Sequence, residues 1–210
     1  MSPDHAVGVI DYGMGNLLSV RHALEMLGAE VVICRTPDDV RDVARLVLPG
    51  VGAFPDCMRN LTESGLAAAL HEAVKERHKP ILGICLGMQA MARRGFEGGE
   101  TEGLGWFDAD VVRLEPDDPT LRVPHVGWND ITYRADSPLF QGLPPSPDVY
   151  FVHSYQVSCR TPEDVDATCA YGGSVTAAIR RGNIAATQFH PEKSQEYGLR
   201  LLANFLAWAP

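Results

Sequence analysis

Two stretches of this 210-residue chain hold residues whose types and spacing could do chemistry. The first is Gly83-Ile84-Cys85-Leu86-Gly87. It follows the short apolar run Pro80 to Ile84, which reads as a buried strand. Helix formers run on from Leu86 to Ala92. A G-x-C-x-G at a strand-to-helix junction has the form of a nucleophile elbow, with cysteine in place of serine. The glycines let the flanking backbones approach closely at a sharp turn. Such an elbow sets the Cys85 sulfur at the first turn of a helix, where free N–H groups and the dipole favour thiolate. The N–H of Leu86 is then placed to donate to a developing oxyanion. The plain alternative is a structural cysteine in a glycine turn, because free cysteine packs as a small hydrophobe.

A thiol nucleophile needs a base, and the base needs an orienting partner. Of the seven histidines, His190 stands out in Gln188-Phe189-His190-Pro191-Glu192-Lys193-Ser194, just after the apolar segment Ile184–Ala186. Residues two apart in an extended segment face the same way. Pro191 stiffens the link, so Glu192 is placed to accept from His190 and hold its tautomer. The alternative is a capped turn carrying two solvated charges. Pro49-Gly50-Val51-Gly52 ends the strand preceding the elbow strand and should open on the same rim of a sheet. Its glycines free backbone N–H groups at Val51 or Gly52 to turn toward a ligand. A tight turn is the simpler account of them.

These groups need a scaffold. Ala6–Ile10, Glu30–Cys34, Leu46–Leu48 and the elbow strand are apolar and short. Helical segments alternate with them: Leu17–Leu27 with Gly28 to end it, a start at Thr36-Pro37-Asp38-Asp39, and residues 55–78 broken near Ser64-Gly65. Strand–helix alternation through about residue 93 predicts a parallel sheet with helices on both faces. Arg94 to Gly105 reads as a loop. Beyond it the pattern changes to strands and proline-punctuated turns: Trp106–Leu114, Val126–Tyr133, Val149–Ser158, Val165–Ala170 and Val175–Ile179. A helix from Gln195 to Trp208 closes the chain. No linker divides it, so residues 1–210 are expected to form one domain.

Composition excludes several classes. A net charge of −9 and a pI of 5.2 argue against a nucleic-acid surface. The five cysteines show neither a C-x-x-C nor a regular framework, which suggests a reduced, cytoplasmic protein. No basic n-region precedes a long apolar run, and no apolar run approaches a membrane span. Asp11-Tyr12-Gly13-Met14-Gly15-Asn16 begins like a dinucleotide loop, but Leu18 stands where the third glycine would be. His5, His22, His71 and His78 read as solvated, while His125 is open. Trp128 could be core or an interface anchor.

The elbow GICLGMQ, the segment QFHPEKS and the glycine loop, in this order, resemble the class I glutamine amidotransferases. DYGMGNL, PGVGAF, PHVGWND and YFVHSY are similar, more narrowly, to the glutaminase subunits of imidazole glycerol phosphate synthase. The resemblance spans nearly the whole chain. It implies a flavodoxin-like α/β fold, with a largely parallel central sheet flanked by helices and antiparallel strands added in the C-terminal half. It also implies a Cys85-His190-Glu192 triad hydrolysing glutamine. Leu86 and either Val51 or Gly52 would form the oxyanion hole, and Gly50 and Gly52 would ease a turn of that peptide. Gln89, Glu97 and His153-Ser154-Tyr155 would line the glutamine pocket. Tyr12, Asn16, Trp128 and Lys193 would face a cyclase subunit in a heterodimer. That partner would take the ammonia through an internal channel and make imidazole glycerol phosphate and AICAR. No cofactor or metal is implied. A cysteine hydrolase of peptidase or chaperone type, and an inactive scaffolding subunit, are the rival readings.

Overall fold

The computed structural model describes residues 6–210; His5 lies outside them. The chain begins with β1 (Val7–Ile10), α1 (Leu17–Met26), β2 (Val31–Cys34), α2 (Pro37–Arg41) and β3 (Arg45–Gly50). α1 starts where the Asn16 carboxamide accepts from Ser19 N, and Gly28 follows it at φ +81°. α2 opens on a capping box: Thr36 accepts from Asp39 N, and the Asp39 carboxylate accepts from Thr36 N. Next come α3 (Phe54–Glu63), α4 (Leu66–His71) and one π-helical turn at Glu72–Glu76. Gly65 separates α3 from α4 at φ +74°, where the sequence predicted a break.

β4 (Ile81–Cys85) leads directly into α5 (Leu86–Ala90). α5 is shorter than its helix formers suggested. The Met91 carbonyl accepts from Trp106 N and Phe107 N, which draws the chain off the helix into a second sheet. Two strands, β5 (Ala92–Gly95) and β6 (Thr101–Glu102), therefore occupy part of the stretch expected to be loop. β7 (Phe107–Arg113) and β8 (His125–Tyr133) follow. The strand predicted over Val149–Ser158 is two strands, β9 (Asp148–His153) and β10 (Tyr155–Cys159), parted at Ser154. They belong to different sheets. β11 (Val165–Ala170), β12 (Ser174–Arg181), β13 (Ile184–Thr187) and α6 (Gln195–Ala207) complete the chain.

Among the described residues the main sheet runs β2-β1-β3-β4-β13-β12-β11-β8-β9. The pairs from β2 to β13 are parallel and the rest antiparallel. Side chains alternate across it. Leu46, Leu48 and Ile81 pack with α3 and α4, whereas Val47 and Leu82 pack with α1 and α6. Both faces are thus covered, as parallel strands require. The smaller sheet, β10-β7-β5-β6, stands beside the elbow. β4 lies centrally between β3 and β13, with Gly50 opposite Cys85 and Thr187 opposite Ile84. That register brings the glycine loop and the His190 segment to either side of the cysteine at the carboxyl end of the sheet.

Candidate active site

Cys85 ends β4 and caps α5 with φ 54° and ψ −108°, a strained conformation for a residue with a side chain. The close approach at Gly87 fixes this turn. A Cβ there would fall on the Leu48 carbonyl oxygen of β3, so no larger residue fits. The Cys85 side chain is buried but reaches a cavity of about 460 Å³. Its Sγ lies 3.9 Å from the Val152 carbonyl oxygen and 3.6 Å from Gln188 Nε2.

His190 Nδ1 is 2.8 Å from Glu192 Oε1, and both side chains are almost wholly buried. The segment between them is not the extended one that the sequence suggested. Pro191–Lys193 forms a 3₁₀ turn that brings the carboxylate back to Nδ1 of the ring. Ser194, which the sequence did not single out, anchors this turn. Its hydroxyl donates to the His190 carbonyl at 2.7 Å and accepts from Tyr150 N at 3.0 Å. The turn is also tied to β9 by His190 N donating to Tyr150 O at 2.9 Å. The Nε2 of His190 has no hydrogen-bond partner among the described residues, although the ring lines the same cavity as Cys85. Burial disfavours the imidazolium, but the adjacent Cys85 and Glu192 outweigh it and raise the His190 pKa to about 9.

The cavity is lined by Val51, Gly52, Cys85, Leu86, Gln89, Glu97, His153, Ser154, Tyr155, His190 and Lys193, all singled out in the sequence, and by Pro124 and Val152, which were not. Gly52, at φ +111°, lets the glycine loop turn beside Met14. Gln89 is held rigidly: its Nε2 donates to Tyr155 O and to Gln188 Oε1, each at 3.1 Å. Glu97 accepts from Phe54 N at 2.7 Å through one oxygen, so it also caps α3. His153 does not offer its ring to the cavity as a free base. Its Nδ1 meets Tyr155 O at 2.8 Å and its Nε2 meets His125 Nδ1 at 3.1 Å. Burial lowers the pKa of both histidines to about 4, so both are neutral near pH 7.

The residues expected at a partner surface divide. Trp128 is 44 % exposed and packs edge-on against Tyr150, so it is not core. Lys193 lies at the cavity, its Nζ 5.9 Å from the Tyr150 ring centroid. Asn16 is occupied in capping α1. Tyr12 is buried beneath the glycine loop with its hydroxyl against Gly50, because the loop that carries it folds inward. It is not a surface group in this chain. His22, His71 and His78 are exposed, and His125 is buried between Phe151 and Tyr171.

The family model described as glutamine amidotransferase class-I matches residues 8–208. This chain belongs to the class-I glutamine amidotransferases. Among curated relatives, the imidazole glycerol phosphate synthase subunit HisH of Agrobacterium fabrum is 48 % identical over 97 % of this chain and 99 % of its own length. HisH of Rhodospirillum rubrum is 49 % identical over the same shares. A solved glutamine amidotransferase superposes with a TM-score of 0.75 at 22 % identity, covering 97 % of this chain and all of that one. PurLQS from Thermotoga maritima gives a TM-score of 0.75 at 19 % identity, covering 99 % of each chain. Those two likenesses carry the amidotransferase fold; within the family, the curated relatives are HisH subunits of imidazole glycerol phosphate synthase.

Proposed function

We propose that this chain is the glutaminase subunit of an imidazole glycerol phosphate synthase, with Cys85, His190 and Glu192 as its catalytic triad. The observation that carries the assignment is a strained Cys85 sharing one cavity with a His190 that is held by buried Glu192. Cys85 Sγ attacks the side-chain carbonyl carbon of glutamine. The resulting oxyanion is met by Leu86 N–H at the start of α5 and by an N–H of the Val51–Gly52 loop. His190 gives its proton to the departing ammonia, leaving a γ-glutamyl thioester. It then takes a proton from water, which attacks the thioester and releases glutamate. Glu192 keeps Nδ1–H of His190 directed at itself, so Nε2 faces the reaction.

The substrate pocket follows from the wall around Cys85. Both N–H groups of the Gln89 amide are engaged by Tyr155 and Gln188, so Oε1 is what it can offer a ligand. That suits the α-ammonium of glutamine. Glu97, with one oxygen held by Phe54 N, can supply a counter-charge to the same group. Ammonia would pass to a cyclase subunit in a heterodimer, which completes imidazole glycerol phosphate and AICAR for histidine biosynthesis. The exposed Trp128 and Val126 on β8 support an apolar contact with that partner. The five free thiols agree with a cytoplasmic setting.

The test is product formation by the complex with either glutamine or ammonium salts as nitrogen source. Cys85→Ala should lose the glutamine-dependent reaction and keep the ammonium-dependent one. Loss of both would point instead to a structural role for Cys85.

A further inference from the structure

Gln188 carries no role in the triad, yet it is fully buried and touches the sulfur. Its place follows from register. Thr187, the last residue of β13, pairs with Ile84, so the residue that follows it comes level with Cys85 on the side opposite the glycine loop. Its carboxamide lies between Cys85 Sγ at 3.6 Å and Gln89 Nε2 at 3.1 Å.

The orientation of that carboxamide is fixed by its neighbours. The Tyr155 carbonyl can only accept, so Gln89 must present its NH₂ there. The same NH₂ then donates to Gln188, which must answer with Oε1. This turns the Gln188 NH₂ toward Cys85. The polarity is reinforced from behind. His153 Nδ1–H donates to the same Tyr155 carbonyl, so its Nε2 accepts from His125 Nδ1–H. The Nε2 of His125 in turn faces the Asn129 amide at 3.4 Å. Every link in this chain has one permitted direction.

We infer that Gln188 is a further catalytic residue, whose Nε2–H donates to the Cys85 thiolate and holds the sulfur aligned for attack. The inference rests on Cys85 being the nucleophile. His190, backed by Glu192, lines the same cavity and supplies the positive charge for that thiolate. Gln188 adds a neutral donor that cannot compete as a base. A hydrogen bond to a charged group is worth about a ten- to hundredfold effect in the equilibrium it supports.

The experiment is iodoacetamide alkylation of Cys85 as a function of pH, with the adduct located by peptide mass mapping, in the wild-type chain and in Gln188→Met. The inference predicts a midpoint that moves up by about one to two pH units in the variant, and a kcat for glutamine reduced by about ten- to hundredfold. A Cys85 adduct with an unmoved midpoint would overturn the role of Gln188 and leave the nucleophile assignment standing. An adduct absent from Cys85 would overturn both. Should Gln188→Met not fold, the wild-type chain decides by NMR. The Gln188 side-chain amide resonance should move with the alkylation midpoint, and that movement should vanish in Cys85→Ala. A resonance insensitive to pH in both proteins would overturn the inference.

Discussion

His190 Nδ1 and Glu192 Oε1 meet at 2.8 Å with both side chains shut away from solvent. A carboxylate is costly to bury alone, so the imidazolium is the natural state of its neighbour. Cys85 and Glu192 together overcome the opposing effect of burial and raise the His190 pKa to about 9. Free histidine titrates near 6.5. The folded value is the higher one, so this group stabilises the fold fully below about pH 6.5 and its contribution fades as pH rises through about 9.

Glu192→Gln should therefore lower the His190 pKa and shrink that contribution. Denaturant unfolding across pH 6 to 10 should show the wild type exceeding the variant most at the acid end, with the gap closing above pH 9. Turnover of glutamine should fall by on the order of 10²–10⁴, as when the orienting acid of a triad is lost. A stability gap that does not change with pH would contradict the pairing.

A glutamine-mimicking electrophile such as a diazo-ketone should label Cys85 and spare the other four cysteines. Burial pushes the thiols of Cys34 and Cys169 up to about 12 and those of Cys57 and Cys159 up to about 11. Little thiolate is present there at neutral pH. Mass mapping that finds the main adduct at any of those four would reject the selectivity.

Trp128→Ala should weaken assembly with the cyclase by about 2–4 kcal/mol. Trp128 is nearly half exposed and meets Tyr150 only edge-on. The lone chain should lose no more than about 0.5 kcal/mol, as for other surface substitutions. Thermal melts of the chain and titration against the partner separate the two. A large drop in melting temperature with unchanged affinity would make Trp128 a packing residue.

Gly87→Ala should destabilise the chain by at least the ~1–3 kcal/mol of a typical overpacked site. The added methyl group would meet the backbone carbonyl of Leu48, which cannot swing aside as a side chain could. Urea midpoints of the variant and wild type measure this. Equal midpoints would mean that the β3–α5 approach is looser than the structure has it.

The elbow was legible because its backbone demands glycine at particular places, and Gly87 leaves that demand in the sequence. The His190–Glu192 spacing was legible too, but the 3₁₀ turn at Pro191 was not, because a proline is compatible with either path. Gln188 was not legible at all. It meets Cys85 only because β13 pairs with β4, an adjacency between segments far apart in the chain. The apolar run through Val149–Ser158 hid its break at Ser154, since strands in two sheets can share one pattern. The family resemblance alone places Tyr12 at the partner surface, whereas in this chain it folds under the β3 turn. Helix formers after Leu86 lost to the pull of the second sheet on Met91.

The central claim is that glutamine is opened by Cys85 through a covalent thioester. Acid quenching of the complex during turnover, followed by peptide mass mapping, tests it most directly. The prediction is a γ-glutamyl adduct on the peptide carrying Cys85, absent in Cys85→Ala, in which glutamate release falls by several orders of magnitude. Wild-type rates of glutamate release from Cys85→Ala, or an adduct on another residue, would contradict it.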